Sequence, residues 1–479
     1  MQFGSKFVKA VAMMLVLVCA LACVSCVPET SIDIIESIPD LGLSSSEDIV
    51  EESSKLPAEE GHTEAPVVHQ SFNLEKSTVI LAGSCEKDAL IEVVGTGKVS
   101  ASTVADGEKY LVEVELGNNK SSILDVYATA EGKEKSAATT ITVSQNAVAE
   151  NRVDGYATVV GQGFNLFLKK TFNDYKGANL MTKTVSQKFI DDVNSRVANL
   201  ANRGDAELVY VLVPNEVSVY PELLPEDVVR ETNNTRFSQV KDVLEASNAS
   251  VIDLTDALVA AKGAEGEENY PLYYDTYSQW SEYGAYVAYT EIMNYVAQKF
   301  PAAAPRALGE FDIKEVEATG GDLAYFLGLD REFFSETVID LVPKFDLNIG
   351  DIKGDEEETF VIGELKQYGG DKDYRIYNAY YRSKLSSVDP EVVPADGKVY
   401  FRTGRTELPS AVIYRDEASI PMIDFLAERF NNVLIDSVGN YSVNMTNVEK
   451  FAGTEGNSSV DYVFVIISES NLGSIIPLG

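Results

Sequence analysis

Hydrophobic and polar positions alternate at period two through the early part of the chain. "STVILAGSC", "ALIEVVG", "YLVEVELG", "SILDVYATA" and "AATTITVS" are each of strand length, and "ADGEK", "GNNKS" and "EGKEK" separate such runs with turn residues. No helical spacing interrupts them, which predicts a small antiparallel β-sandwich over residues 71–148. After Glu150 the rhythm changes. "VSQKFIDDVNSRVANLANRG" sets Val185, Phe189, Val193, Val197 and Leu200 on one helical face, with Gly204 as its stop. "AELVYVLVP" follows as an unbroken apolar run, the pattern of a strand buried on both faces. The helix "RFSQVKDVLEAS", the strand "SVIDL" and the helix "EYGAYVAYTEIMNYVAQKF" come next, and Pro301 ends the last of them. "SAVIYRD", "IPMIDFLAERF", "NVLIDS" and "VDYVFVIIS" continue the alternation. This β-α-β order predicts a mostly parallel sheet flanked by helices over residues 150–479. Between about 305 and 375 the pattern is less regular and gives no sheet order.

The segment ahead of these two regions reads differently. Residues 1–26 place Lys6 and Lys9 before "VAMMLVLVCALAC", an apolar run too short to span a bilayer comfortably and typical of an export signal. The "ALAC" and "CVSC" that follow resemble the end of a bacterial lipoprotein signal, in which Cys23 or Cys26 would carry the lipid. An ordinary signal peptide or a retained anchor helix is the alternative. Residues 27–70 are dominated by Glu, Asp, Ser and Pro and carry too little apolar surface to offset chain entropy. They are predicted to be a disordered acidic tether, with His62 and His69 as solvated linker residues.

Composition narrows the function classes. The formal net charge of -36 repels phosphate backbones, which excludes nucleic acid as a partner, and it argues against docking on anionic lipid through a basic patch. Cys85 is the only cysteine beyond the signal region, so there is no disulfide framework and no cysteine-based zinc site. Its expected role is that of a small buried apolar residue. The strand series resembles the bacterial immunoglobulin-like (Ig-like) modules of surface proteins, which serve as spacers or binders.

Five blocks of the longer region carry a second resemblance. They are "GQGFNLFL" (161–168), "LVYVLVPNEVSVYPELLP" (208–225), "LYYDTYSQWSEYGAYVAY" (272–289), "GGDLAYFLGL" (320–329) and "VIYRDEASIPMIDFLAERF" (412–430). In this order they resemble the alginate O-acetyltransferase relatives of the SGNH hydrolases, in the branch marked by an Asp-His-His-Trp (DHHW) block. The chain is therefore expected to be multidomain, an Ig-like β-sandwich followed by an SGNH hydrolase-like α/β domain. The resemblance also implies a catalytic Asp and His in the third block and a nucleophilic Ser in the fifth.

Those chemical positions are changed here. They fall on Tyr277, Gln279 and Glu417, and the family's middle His falls on Ser278. A serine hydroxyl needs a positioned base to take its proton, and an imidazole is tuned to do so near neutral pH. Gln279 cannot accept and return a proton, and Tyr277 stays protonated near neutrality. Losing such a triad as a unit removes about a million-fold in turnover. Both histidines of the chain lie at or before position 69, so no imidazole of the α/β region can substitute.

The remaining candidates each carry two readings. Tyr273, Tyr274, Tyr277 and Trp280 are either a stacking platform for a sugar ring or packing at the start of a helix. Asp416 and Glu417 are either ligands for a cation or sugar hydroxyls, or a solvated pair at a strand end. Ser419 is either a shifted nucleophile or a helix N-cap. Arg236, Arg402 and Arg415 could anchor an anionic ligand or pair on the surface. "GDEEETF" at 354–360 lacks the ligand spacing of a calcium loop, and no cofactor or metal is expected. The sequence thus points to an extracytoplasmic, lipid-anchored surface protein without catalysis. Its partner would be a cell-surface polysaccharide or, by resemblance, a membrane-bound O-acyltransferase. An active O-acetyltransferase or acetylesterase and a structural adhesin are the alternatives.

Overall fold

The computed structural model describes residues 61–477 except 76–77, 98, 117–120, 145–151, 154–155, 163–164, 203–204, 226–227, 263–269, 346, 355–359, 369–398, 417–420, 438–447 and 449–458. The signal and lipidation readings at Cys23 and Cys26, the acidic tether up to residue 60, and the positions Glu417 and Ser419 lie outside the described residues.

Seven strands come first: β1 (Val67–Glu75), β2 (Thr78–Ser84), β3 (Leu90–Gly95), β4 (Ser100–Val104), β5 (Lys109–Glu115), β6 (Ser121–Thr129) and β7 (Thr139–Ser144). They form two antiparallel sheets, ordered β1-β2-β5 and β4-β3-β6-β7. The alternation read from the sequence is seen in β5 and β6, whereas β2 is buried on both faces. Leu81, Val112 and Val114 of one sheet share a buried cluster with Ile91, Val93, Leu124 and Val126 of the other. Cys85 sits at the edge of that cluster, and burial, with Glu108, Glu86 and Asp88 nearby, pushes its thiol up to about 11.

Ordered structure begins ahead of residue 71. Thr63 donates from its amide and hydroxyl to the Glu134 carbonyl, both at 2.8 Å, and its hydroxyl accepts from the Ala130 amide at 2.9 Å. His62 lies 3.1 Å from the Glu134 carboxylate, and His69 is bonded to the Ser84 hydroxyl at 3.0 Å. Both histidines, expected in a linker, are therefore part of the folded sheets. Their polar flanks gave no sign of partners so far along the chain.

The α/β part is built on an eight-stranded sheet. Its parallel core runs through β11 (Glu207–Val213), β12 (Ser250–Asp253), β18 (Ala411–Arg415), β19 (Asn432–Ser437) and β20 (Tyr462–Ser468). The spatial order is β12-β11-β20-β18-β19, followed by antiparallel β17 (Val399–Arg402), β15 (Leu347–Gly354) and β16 (Phe360–Tyr368). Every residue of β20 is buried, as are Leu208 to Val213 of β11. Period-two alternation divides these strands between two cores. Val209, Val211, Ile413, Ile435, Phe464 and Ile466 face a helix at Glu282–Ala297, while Leu208, Tyr210, Leu212, Val412, Val463 and Val465 face helices at Lys183–Ala201 and Arg236–Glu245.

The Lys183–Ala201 helix presents the expected face, with Phe189, Val193 and Leu200 fully buried and Val197 packed beside them. Thr182 caps its start by accepting from the Val185 amide at 3.3 Å. The irregular stretch from 305 to 375 supplies an antiparallel hairpin, β13 (Phe311–Ala318) with β14 (Glu336–Pro343), as well as β15 and β16 of the large sheet. A further small sheet joins β8 (Arg152–Val153), β9 (Tyr156–Val160) and β10 (Leu166–Leu168).

Phe464 is fully buried at the centre of the sheet, with ring centroids 6.1 Å from Phe430 and 5.4 Å from Tyr462. Phe464→Ala is expected to cost about 3–5 kcal/mol in urea unfolding, whereas Val259→Ala on the surface should stay within about 0.5 kcal/mol.

Candidate functional site

The parallel strands β11, β18 and β20 end their carboxyl side at Val213, Arg415 and Ser468, where open α/β sheets gather ligands. The aromatic block from Tyr273 to Trp280 folds over this edge. An isolated antiparallel bridge between Tyr273 and Trp280 closes the loop, and Ser281 caps the helix that follows by accepting from the Gly284 amide at 3.0 Å. Gly284 has to be glycine, because a Cβ there would lie 2.4 Å from the Leu272 carbonyl oxygen.

Two carboxylates hold this loop from below. Glu336, the first residue of β14, accepts from the amides of Asp275 at 2.9 Å and Thr276 at 3.0 Å, and from the Thr276 hydroxyl. Asp322 opens a short helix, Asp322–Leu327, and accepts from the Ser278 amide at 2.8 Å and the Ser278 hydroxyl at 2.5 Å. The Thr276 hydroxyl accepts in turn from the Gly321 amide at 2.7 Å. The double glycine of "GGDLAYFLGL" follows from this contact, since a Cβ on Gly321 would meet the Thr276 carbonyl at 2.4 Å and the Tyr277 ring at 2.5 Å.

Of the expected chemical positions, Tyr277 is bonded into the fold, Gln279 is at the surface and Glu417 is outside the described residues. Tyr277, expected at the position of the family's Asp, donates its hydroxyl to the Thr319 carbonyl at 2.8 Å. Burial, reinforced by the Glu336 charge, pushes that hydroxyl up to about 12, so Tyr277 is a neutral donor at physiological pH. Gln279 is exposed.

The platform reading fails for Tyr273 and Trp280. Trp280 is 4% exposed and Tyr273 is buried with its hydroxyl donated to the Pro214 carbonyl at 2.8 Å, so both belong to the core beneath the loop. Tyr274 is half-buried, and its hydroxyl accepts from the Ile339 amide at 3.0 Å and donates to the Ile339 carbonyl at 3.3 Å.

At the next strand end, Asp416 is not a solvated carboxylate. It accepts from the Ser468 amide at 2.7 Å, the Ser468 hydroxyl at 2.5 Å and the Asn471 side-chain amide at 3.0 Å. Arg415 is buried as the last residue of β18. Arg236 donates to the Asn179 carbonyl at 2.8 Å and lies 3.5 Å from Asp174, and the side chain of Arg402 is outside the described residues.

The structure adds acids that the sequence did not single out. Glu216 follows β11 by three positions and is 8% exposed. Burial holds its carboxyl well above the usual range, and Asp275, Glu336 and Asp322 push in the same direction. Glu469, just past β20, is 1% exposed and accepts from the Asn215 amide at 2.9 Å and the Ser218 hydroxyl at 2.8 Å. Burial also raises the carboxyls of Glu336, Asp322 and Glu469. Among the described residues no group of three or more His, Cys, Asp or Glu side chains is disposed to hold a metal ion.

Residues 160–360 match the family described as "SGNH hydrolase-like domain, acetyltransferase AlgX". That match is in line with the resemblance to an SGNH hydrolase-like domain of the alginate acetyltransferase type read from the sequence. The matched stretch takes in the loop at 272–289 and ends before Asp416.

Among solved structures, the chain is similar to PatB1 of Bacillus cereus at 14% identity and a TM-score of 0.45, covering 68% of this chain and 100% of that one. It is similar to a DHHW family protein from Eubacterium siraeum at 15% identity and a TM-score of 0.39, covering 74% and 92%. The O-acetyltransferase domain of Pseudomonas putida AlgJ aligns at 16% identity and a TM-score of 0.37, covering 66% and 92%. No curated protein matches the chain.

Glu216 supplies a pH test. A carboxyl raised in the folded state binds its proton more tightly there than in the unfolded chain. Its contribution is therefore full below the unfolded value of about 4.3 and is lost as pH rises toward the folded value. Glu216→Gln removes that loss. The variant should match the parent near pH 4 and exceed it near pH 7, by on the order of 1 kcal/mol for each unit by which the pKa is raised. Urea unfolding at both pH values measures this, and a difference that does not change with pH contradicts it.

Proposed function

We propose that this is a non-catalytic binding protein of the bacterial surface. In this reading residues 1–26 direct export and attach a lipid through Cys23 or Cys26, and an acidic tether follows. The seven-stranded part is an Ig-like module, and residues from about 150 onward form the SGNH-like domain. That domain engages a cell-surface polysaccharide, or a membrane-bound O-acyltransferase that acetylates one, without performing acyl transfer itself.

One observation carries the reading. At the position of the catalytic Asp, the Tyr277 hydroxyl is committed to the Thr319 carbonyl, on a loop whose amides are tied to Glu336 and Asp322. That arrangement orients no imidazole, and the sequence has no histidine after His69. Acyl transfer through a serine needs a group that takes the proton during attack and returns it to the leaving group. The alternative that pairs Asp416 with Ser419 is disfavoured because the Asp416 carboxylate already accepts three hydrogen bonds.

The purified mature chain is expected to release acetate from aryl acetates and from acetylated polysaccharide no faster than buffer does, and to form no covalent adduct with a fluorophosphonate probe. It should nevertheless retain binding to extracted cell-surface polysaccharide or to the acyltransferase in a pull-down from membranes. Acetate release at rates typical of active SGNH enzymes, or a trapped adduct, would reject the proposal.

A further inference from the structure

The segment running from Asp322 to Glu336 carries both carboxylates that fix the 275–278 loop, one at each end. Between those ends it is seated on the β1-β2-β5 sheet. Ile80 and Ala82, on the face of β2 turned away from the sandwich core, are buried together with Leu323, Ala324, Leu329 and Phe334. Gln70 of β1 acts as a two-point clasp. Its amide nitrogen donates to the Gly328 carbonyl at 2.8 Å and its amide oxygen accepts from the Asp330 amide at 3.2 Å. Gly328 is the left-handed C-cap of the Asp322–Leu327 helix, so Gln70 satisfies a backbone group at the end of that helix. Further along, Lys109 of β5 donates to the Ser335 hydroxyl at 3.1 Å, next to Glu336, and the His69 ring lies 4.6 Å from that of Phe333.

A helix of six residues has too few internal hydrogen bonds to hold its shape alone and takes its stability from what it packs against. One surface of this helix meets Val160 and Leu166, and the sandwich supplies the other. We infer that the N-terminal sandwich is a positioning platform for the site. Through the 322–336 segment it sets the geometry of the loop at 273–281, and the α/β domain presents that loop correctly only when the sandwich is docked. Gln70 and Ile80 are then positioning residues for a loop they do not touch. The inference is independent of whether the loop binds glycan, binds protein or retains catalysis.

Hydrogen exchange followed by mass spectrometry on the full mature chain tests it, because the amides of Asp275, Thr276 and Ser278 are the groups bonded to Glu336 and Asp322. In Gln70→Ala and in Ile80→Asp, peptides covering 322–336 and 273–281 should both exchange faster, on the order of 5- to 10-fold, as for the loss of one or two hydrogen-bonded contacts. Peptides from β11, β20 and β6 should keep their protection. Faster exchange confined to 322–336 would overturn the inference, and so would unchanged exchange in both segments. If Ile80→Asp also exposes β6, the sandwich itself has opened, and Gln70→Ala alone decides.

Discussion

Five donors of the loop at 275–278 point beneath the surface, and two carboxylates accept them all. A buried amide left without a partner costs about 1–3 kcal/mol, so this short stretch could not lie where it does without Glu336 and Asp322. Bonds from amides to a charged acceptor are also stronger than neutral ones. The loop is therefore held as a rigid strap across the carboxyl edge of the sheet. Its own side chains complete the strap, with the Tyr277 hydroxyl on Thr319 and the Tyr273 hydroxyl on Pro214. Tyr277 is thereby part of a structural joint.

The same choice of acids makes the two ends of the sheet electrically unlike. Glu216, Asp322, Glu336 and Glu469 gather near the carboxyl ends, and burial raises the carboxyl of each. Around the opposite ends, Arg306, Arg405 and Arg429 surround one buried acid, Glu428, at 3.1, 3.3 and 3.2 Å. Burial and the neighbouring acids act in the same direction on the first group.

Much of the fold was legible because it rests on local periodicity. The alternation of β5 and β6, the unbroken apolar run of β11 and the buried stripe of the Lys183–Ala201 helix all follow from the spacing of apolar residues. The aromatic block and the double glycine at 320–321 were also visible, although the reason for Gly321 lies in a contact with Thr276 and Tyr277. Glu336 was not legible. It sits in a stretch without clear periodicity, and its partners are some 60 positions away in the chain. Asp416 was misread for a related reason, because the Ser468 and Asn471 groups that occupy it come from the far end of the chain. His62 and His69 were assigned to a linker because polar residues flank them, while their partners at Glu134 and Ser84 lie beyond any local window.

The burial of Trp280 has a practical side. It is the only tryptophan in the chain, and it closes the strap through its bridge to Tyr273. Its indole is shielded from solvent, so tryptophan emission, excited selectively over the tyrosines, reports on this one loop. A ligand, a partner or a change of conditions that lifts the strap would shift the emission toward the red without any label. Unfolding confined to the sandwich would leave that light unchanged unless the disturbance reached the site.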